Sequence, residues 1–467
     1  MSYIGFAVFK RNKETIKLAM PVFLQLLLGV AMGYVNQFML AGQPLASNAV
    51  SQANQIANIF IVFFSVFSSS SVILITNLIG AKQEGIANKI YALSFWLNAL
   101  LGLLVAVVVM FLSPYAFVWM GVDSNVQPYA DNYQLVSGPS IAFLALTQVF
   151  AAYLRANKKM VEPTIIYLLS NVVAAGGNAI VLWVIPGLSD MDKLIGVGIV
   201  TDLSRLLALA LSFWYYVRYI HVSLGFKILR PFPAKLLARL AYIGLPTAGE
   251  TLSYNMTQLV LVAIVNYSVP VLEQNLRNYL LTFFSLIYLF ANGIAAAMQV
   301  IEGNAIGAKD KEEAYRLVKD TGTMARTVSL GMSLLLTAIA FPLFSALMAP
   351  AVDDPLVNIQ GLTYWQCGLM ALYCMLIDIV LDQGRATNLV YVCGLETAGD
   401  IMFPVMASIV ASWLFTAGGA ALFCMVFKWG IYGAFAAAAL DECSRALAFV
   451  IRWERRGWYK RTLTKGI

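Results

Sequence analysis

Three residues of one apolar stretch, Asp378, Asp382 and Arg385, are the first place to look for chemistry. The carboxyls are spaced i, i+4 and the guanidinium stands three residues past the second, so a helix sets all three near one face. A carboxyl that a cation can fill and leave, beside an arginine that keeps a neighbour ionised, suits ion-coupled transport. The plainer use of the same spacing is a static Asp382–Arg385 pair. An ionisable side chain in lipid costs roughly 2.5–3.5 kcal/mol on insertion scales, so each one needs a reason.

Glu250 is the second candidate. It lies one helical turn beyond Pro246, and a proline frees a carbonyl in the preceding turn. Carboxylate, carbonyl and hydroxyl oxygens are what hard cations bind, and Asn255, Thr257 and Gln258 follow on the same stretch. The alternative is a helix-end residue near the cytoplasm. A third set occurs twice, as Asp202-Leu-Ser204-Arg205 and Glu442-Cys-Ser444-Arg445. Each acid is three residues before its arginine, and a feature of both halves reads as structural ion pairs bracing each bundle. Asn36 and Gln37 in the first apolar stretch have amides that can hydrogen-bond a substrate or pack between helices, but cannot titrate.

These residues need helices to carry them. Hydrophobic residues make up 60% of the 467 and charged residues 12%, with a mean hydropathy of +0.76. A soluble domain is about one-quarter charged, so the chain is expected to be an integral membrane protein. Twelve helical spans can be drawn, at roughly 14–40, 46–79, 89–112, 130–155, 163–187, 194–219, 238–266, 275–304, 320–348, 366–395, 402–425 and 430–451. With the N-terminus in the cytoplasm, Lys82, Lys158, Lys159, Lys227, Arg230, Lys309 and Lys311 fall on that side. Asp123, Asp190, Asp353 and Asp354 fall on the other. This bias places both termini inside.

The basic residues lie between apolar runs, which excludes a nucleic-acid surface despite the net charge of +7. The five cysteines lack CxxC spacing, so neither a disulfide nor a metal site is expected. The sole histidine, His221, stands in a basic connector, and no catalytic set can be built around it. An enzyme is not expected.

The chain also repeats itself. Asn77-Leu-Ile-Gly80-Ala-Lys82 returns as Asn304-Ala-Ile-Gly307-Ala-Lys309, and Pro21 is answered by Pro246. Leu154-Arg155 with Pro163 is answered by Leu395-Glu396 with Pro404. Six spans per half is an even number, so the copies share one orientation as parallel repeats. The expected division is 1–220, a linker at 221–236, and 237–467. The Gly80 and Gly307 turns read as hinges or close-packing points, since no phosphate-loop spacing surrounds them.

In this order the pieces resemble the multidrug and toxic compound extrusion (MATE) transporters over nearly the whole chain. They are Pro21 with Tyr34-Val-Asn36-Gln-Phe-Met-Leu-Ala-Gly42, the two Gly-Ala-Lys turns, Gly244-Leu-Pro246 with Glu250, Leu154-Arg155 with Pro163, and Gly399-Asp400 with Pro404. The resemblance implies an all-α membrane protein of two six-helix bundles forming a V about a pseudo-two-fold axis. It further implies alternating access and export of small organic, often cationic, compounds against sodium or protons. Some subgroups bind a cation in span seven. Many relatives carry an aspartate in span one where this chain has Asn36, which moves the expected coupling to the second half and favours sodium over protons. Glu250, Asp378 and Asp382 are then the cation-coupling residues, and Asn36, Gln37, Asn255 and Arg385 the substrate-binding ones. The expected protein is a monomer in a bacterial inner membrane, in contact with lipid and needing no cofactor beyond the coupling ion. A lipid-linked oligosaccharide flippase of the same superfamily and a dedicated natural-product exporter are the alternatives.

Overall fold

Apolar runs of this length leave the backbone no partner but itself, and in lipid a helix satisfies every N–H and C=O internally. The computed structural model describes residues 8–9, 11–40, 43–120, 122–355, 357–461 and 463, and gives the backbone only of 33–38, 44, 58, 61 and 62. Along the first half run α1 (Lys13–Met39), α2 (Pro44–Gly80), α3 (Glu84–Trp119), α4 (Gln127–Ser137), α5 (Pro139–Ala156), α6 (Val161–Ala179) and α7 (Asp190–Tyr219). The second half holds α8 (Ala234–Ser268), α9 (Val271–Gly307), α10 (Lys311–Val352), α11 (Tyr364–Thr397), α12 (Met402–Ala411) and α13 (Gly430–Glu454). The fourth span is two helices, because Pro139 has no N–H to continue the ladder across Gly138. With α4 and α5 taken as one, the described residues form twelve spans, as expected.

The repeat is visible in the backbone. Gln83 N–H donates to Leu78 O and Lys82 N–H to Ile79 O, both at 2.9 Å; Asp310 N–H donates to Ala305 O (2.9 Å) and Lys309 N–H to Ile306 O (3.0 Å). This pair of hydrogen bonds closes a helix C-terminus and puts one residue in the left-handed region. That residue is lysine in both copies, with φ of 57° at Lys82 and 65° at Lys309. The glycines thus end helices and the lysines turn the chain. Lys158 and Gly399, at φ of 60° and 86°, are a second matched pair. A left-handed non-glycine residue costs about 1 kcal/mol, more when β-branched. In detergent, Lys309→Gly is expected to melt at or above the wild-type temperature and Lys309→Val several degrees below it. Equal melting of the two variants would refute this account of the turn.

A π-helical stretch follows α6 (Ile180–Val184), and two follow α12 (Ser412–Gly418 and Ala421–Val426). Ten of the spans are apolar enough to cross a membrane by composition alone. The other two are α8, diluted by Glu250 and its polar neighbours, and α13, which carries Asp441, Glu442 and Arg445.

Packing divides the chain into two compact units. One holds Leu245–Leu463 with the segment up to Phe23, the other Leu24–Gly244. The borders lie inside α1 and α8, two residues from Pro21 and from Pro246, so each of these helices contributes to both units. Within the first of these units Arg11 pairs with Asp320, and Asn12 donates to the same carboxylate at 3.3 Å. Two apolar clusters form its core. One gathers Phe284, Phe344 and Phe435 with Ala371, Cys374 and Met375 of α11, and the other Met298, Phe449 and Trp453 with Ala386, Val390 and Tyr391 of α11. Between Ile377 and Ala386, where neither cluster reaches α11, stand Asp378, Asp382 and Arg385.

A carboxylate network in the second half

Helix α11 begins at a capping box, with Thr363 and Gln366 each satisfying the other's backbone N–H, and so its register is held from the first turn. Its helical spacing then sets Asp378, Asp382, Arg385 and Asn388 along one face. The facing helix is α13, and Gly384 lets the two backbones touch. A Cβ at 384 would sit 2.8 Å from the Cys443 amide nitrogen and 3.0 Å from the Glu442 carbonyl carbon. At this approach Arg385 Nε reaches Glu442 Oε1 at 3.3 Å. Gly384→Val is accordingly expected to destabilise the protein by about 1–3 kcal/mol through overpacking, read as a lower melting temperature. Unchanged melting would show that the helices have room to part.

Glu442 is the centre of the cluster. It accepts Arg385 from one side, Arg445 NH2 at 3.2 Å from another, and Asn388 Nδ2 at 2.9 Å. Arg445 also pairs with Asp441 at 2.8 Å, and Thr416, from the π-helical stretch, donates to the same Asp441 oxygen at 3.0 Å. On α11, Arg385 lies 3.7 Å from Asp382, whose other oxygen takes the Ser333 hydroxyl at 3.1 Å. Tyr288 and Tyr254 hold their rings under Arg385 and Arg445. Asp382 is 1% exposed and Asp378 0%. Asp378 receives no donor at either oxygen, and what lies within hydrogen-bonding reach of it is the Asp382 carboxyl. Glu250 completes the set: it faces the Ser408 hydroxyl and lies within electrostatic range of Arg445, Asp441 and Glu442.

The structure therefore joins what spacing had separated. Asp378, Asp382, Arg385, Glu250 and the Glu442–Arg445 pair form one network. Glu442 with Arg445 is not a brace apart from the candidate coupling residues, because the Gly384 contact brings α13 against them. The first-half copy also differs from the direct pair expected. Asp202 accepts from the Ser140 amide at 3.1 Å and Arg205 donates to the Ser140 hydroxyl at 2.7 Å, so Ser140 stands between them. The physical reason is the break at Gly138–Pro139: it leaves the first N–H groups of α5 without helical partners, and Asp202 caps one. Asn255 is exposed, on another face of α8 from Glu250 and Tyr254, and takes no part in the network. The side chains of Asn36 and Gln37 lie outside the described residues.

Sequence reading passed over Asp441, Asn388, Ser333, Thr416 and the two tyrosines. Asn388, three residues beyond Arg385 on the same face, could have been found from spacing. Ser333 and Thr416 could not, since nothing local marks a hydroxyl that caps a distant carboxylate. Beside the network a small cavity of about 50 Å³ is lined by Gln258, Arg277, Arg385, Asp441 and Glu442 among others. It has room for a few water-sized particles, far below the roughly 300–1,000 Å³ of a drug-sized pocket. This chamber suits an ion or water.

The MatE family model matches residues 17–180 and 246–422, one stretch in each half. The chain belongs to the MatE family. It is a multi-pass membrane transporter with the family's twelve-helix fold. This MatE chain is 26% identical over 450 residues to an uncharacterized transporter, YisQ, of Bacillus subtilis, covering 95% of its own length and 94% of the relative's. It is 25% identical over 316 residues to the multidrug resistance protein NorM of Vibrio cholerae, covering 65% and 67% of the two. A crystal structure of a MATE protein in the straight conformation superposes with a TM-score of 0.81 at 16% identity, covering 95% of each chain.

Proposed function

We propose that this MatE protein is a secondary exporter that moves small organic, often cationic, compounds out of the cell in exchange for sodium ions or protons. The observation that carries the reading is the charge balance of the second-half network. Five carboxyls, Asp378, Asp382, Glu250, Asp441 and Glu442, stand with two guanidinium groups, Arg385 and Arg445, and a third, Arg277, lines the chamber of ionic size beside Arg385, Asp441 and Glu442. Uncompensated charge in the membrane interior is costly, so the resting network needs further positive charge. A proton or a sodium ion supplies it, and a site whose charge is completed by a mobile cation is what coupling requires. Asp378, with no donor of its own, is the residue assigned to the exchangeable cation. Asp382 shares that cation and Glu250 lies along its way. Arg385 is committed to Asp382 and Glu442 and fixes their positions, with substrate contact a secondary role.

The distribution of basic residues supports cytoplasmic termini, and the bacterial relatives support the inner membrane; the reading takes the protein as a monomer. The test is purified protein in liposomes, with ethidium uptake followed under an imposed sodium gradient and then a pH gradient. Uptake driven by either gradient, with no uptake in protein-free vesicles, is the expected result. Ethidium movement that ignores both gradients would overturn cation coupling.

A further inference from the structure

A second group of acids lies in the same packing unit, away from the network. Glu302, on α9 five residues before the turn to Lys309, is 0% exposed, and neither of its carboxyl oxygens has a hydrogen-bond partner. It lies within electrostatic range of Cys393 on α11, as does Glu396 one turn further along α11. Cys393 and Glu396 are i, i+3 and share the face that Glu302 approaches. Glu396 in turn accepts the Thr247 hydroxyl of α8 at 3.3 Å, and Thr247 stands one turn before Glu250. The charge of Glu250 reaches Glu396 on one side and the Glu442–Arg445 pair on the other. Acids thus run from the Lys309 end of the unit to Asp378. Asp378 and Glu396 are 18 residues apart on one helix, or about 27 Å at 1.5 Å per residue, close to the roughly 30 Å of a hydrocarbon core.

We propose that Glu302 and Glu396 are the cytoplasmic exit of a proton path that begins at Asp378 and Asp382 and passes Glu250. The inference rests on the exporter reading above and names its coupling ion as a proton, where span-one comparison had favoured sodium. In each step a carboxylic acid gives its proton to a carboxylate, directly or through water, and becomes a carboxylate itself; no other reactant is needed. The shape of the Glu302 site selects the ion. A sodium or other hard cation wants several oxygens at once, and Glu302 has none within hydrogen-bonding distance. Among the described residues no three acidic, histidine or cysteine side chains are placed to hold a metal ion. A proton needs a single acceptor. Among the described residues, Cys393 and Glu396 of α11, Glu250 of α8 and Tyr288 of α9 are titratable groups along this end of the path.

Two measurements test it on the full-length protein in lipid. In infrared difference spectra between acidic and alkaline pH, the protonated-carboxyl band that Glu302→Gln removes is expected to rise and fall with pH. A band present but constant at all pH values makes Glu302 a fixed neutral packing group and overturns the proposal, whatever compound is transported. In liposomes, Glu302→Gln and Glu396→Gln are each expected to lower ethidium accumulation driven by a pH gradient at least tenfold. Melting temperatures of both variants in detergent should stay within a few degrees of wild type, which shows that they are folded. Wild-type rates in both variants, or accumulation driven by sodium alone, overturn the proton path and leave the exporter reading standing. If no gradient moves ethidium in the wild type, the exporter reading falls, and the infrared result still decides whether Glu302 exchanges protons.

Discussion

Glu442→Gln is expected to be the most damaging single substitution in the second half, lowering stability by about 3–5 kcal/mol, the range for removing one partner of a buried ion pair. Glu442 holds both Arg385 and Arg445, and the change leaves two guanidinium groups inside the membrane with one carboxylate each in place of two. Asn388 loses a charged acceptor in the same step. A melting curve in detergent reads the loss, and a double-mutant cycle gives its source. Adding Arg385→Leu to Glu442→Gln removes one guanidinium group that has lost a carboxylate partner and should recover part of the stability, so the two changes should not add. Asp202→Asn in the first half is the comparison. Its carboxyl caps one backbone N–H and its loss is expected to cost about 1–2 kcal/mol, as for an N-cap. If Glu442→Gln melts no lower than Asp202→Asn, the network is not the keystone that its geometry suggests.

Asp378→Asn is expected to do the reverse, leaving stability alone and removing coupling. The amide has nearly the shape of the carboxyl, and Asp378 accepts no donor whose bond would be lost. Replacing a buried carboxyl that lacks a partner by an amide should hold the melting temperature or raise it slightly. Ethidium accumulation under the driving gradient should fall at least a hundredfold, because an amide neither binds a proton nor offers a charge to sodium. Asp382→Asn should lose both properties, since that carboxylate also holds Arg385 and the Ser333 hydroxyl. Gradient-driven accumulation by Asp378→Asn at wild-type rate would remove this residue from the coupling site.

Different parts of the molecule were legible to different degrees. The spans, the duplication and the matched Gly-Ala-Lys turns could be read directly, because lipid forces each apolar run into a helix and a helix shows its period in the sequence. The family followed from the order of those same pieces. Asp378, Asp382 and Glu250 stood out because charge inside an apolar run is rare. Glu302 went unremarked, and Glu396 was noted only as a landmark of the repeat, for the opposite reason. Each stands close to a helix end beside polar residues, where an acid looks solvated, and only the packed helices show that Glu302 is buried without a partner.

Residue types and their spacing along single helices thus settled the architecture, since both depend on local period and on the solvent each helix must meet. The grouping of the acids was a matter for the tertiary structure. Residues 250, 302, 378, 396 and 442 are distant in sequence, and no local period connects α8, α9, α11 and α13. A glycine that lets α11 meet α13 makes Glu442 the partner of Arg385, and a proline break that exposes the N–H groups of α5 draws Asp202 to Ser140. The two copies of one acid–arginine motif therefore have different partners, because charges buried in lipid are satisfied by whatever the neighbouring helices bring within reach.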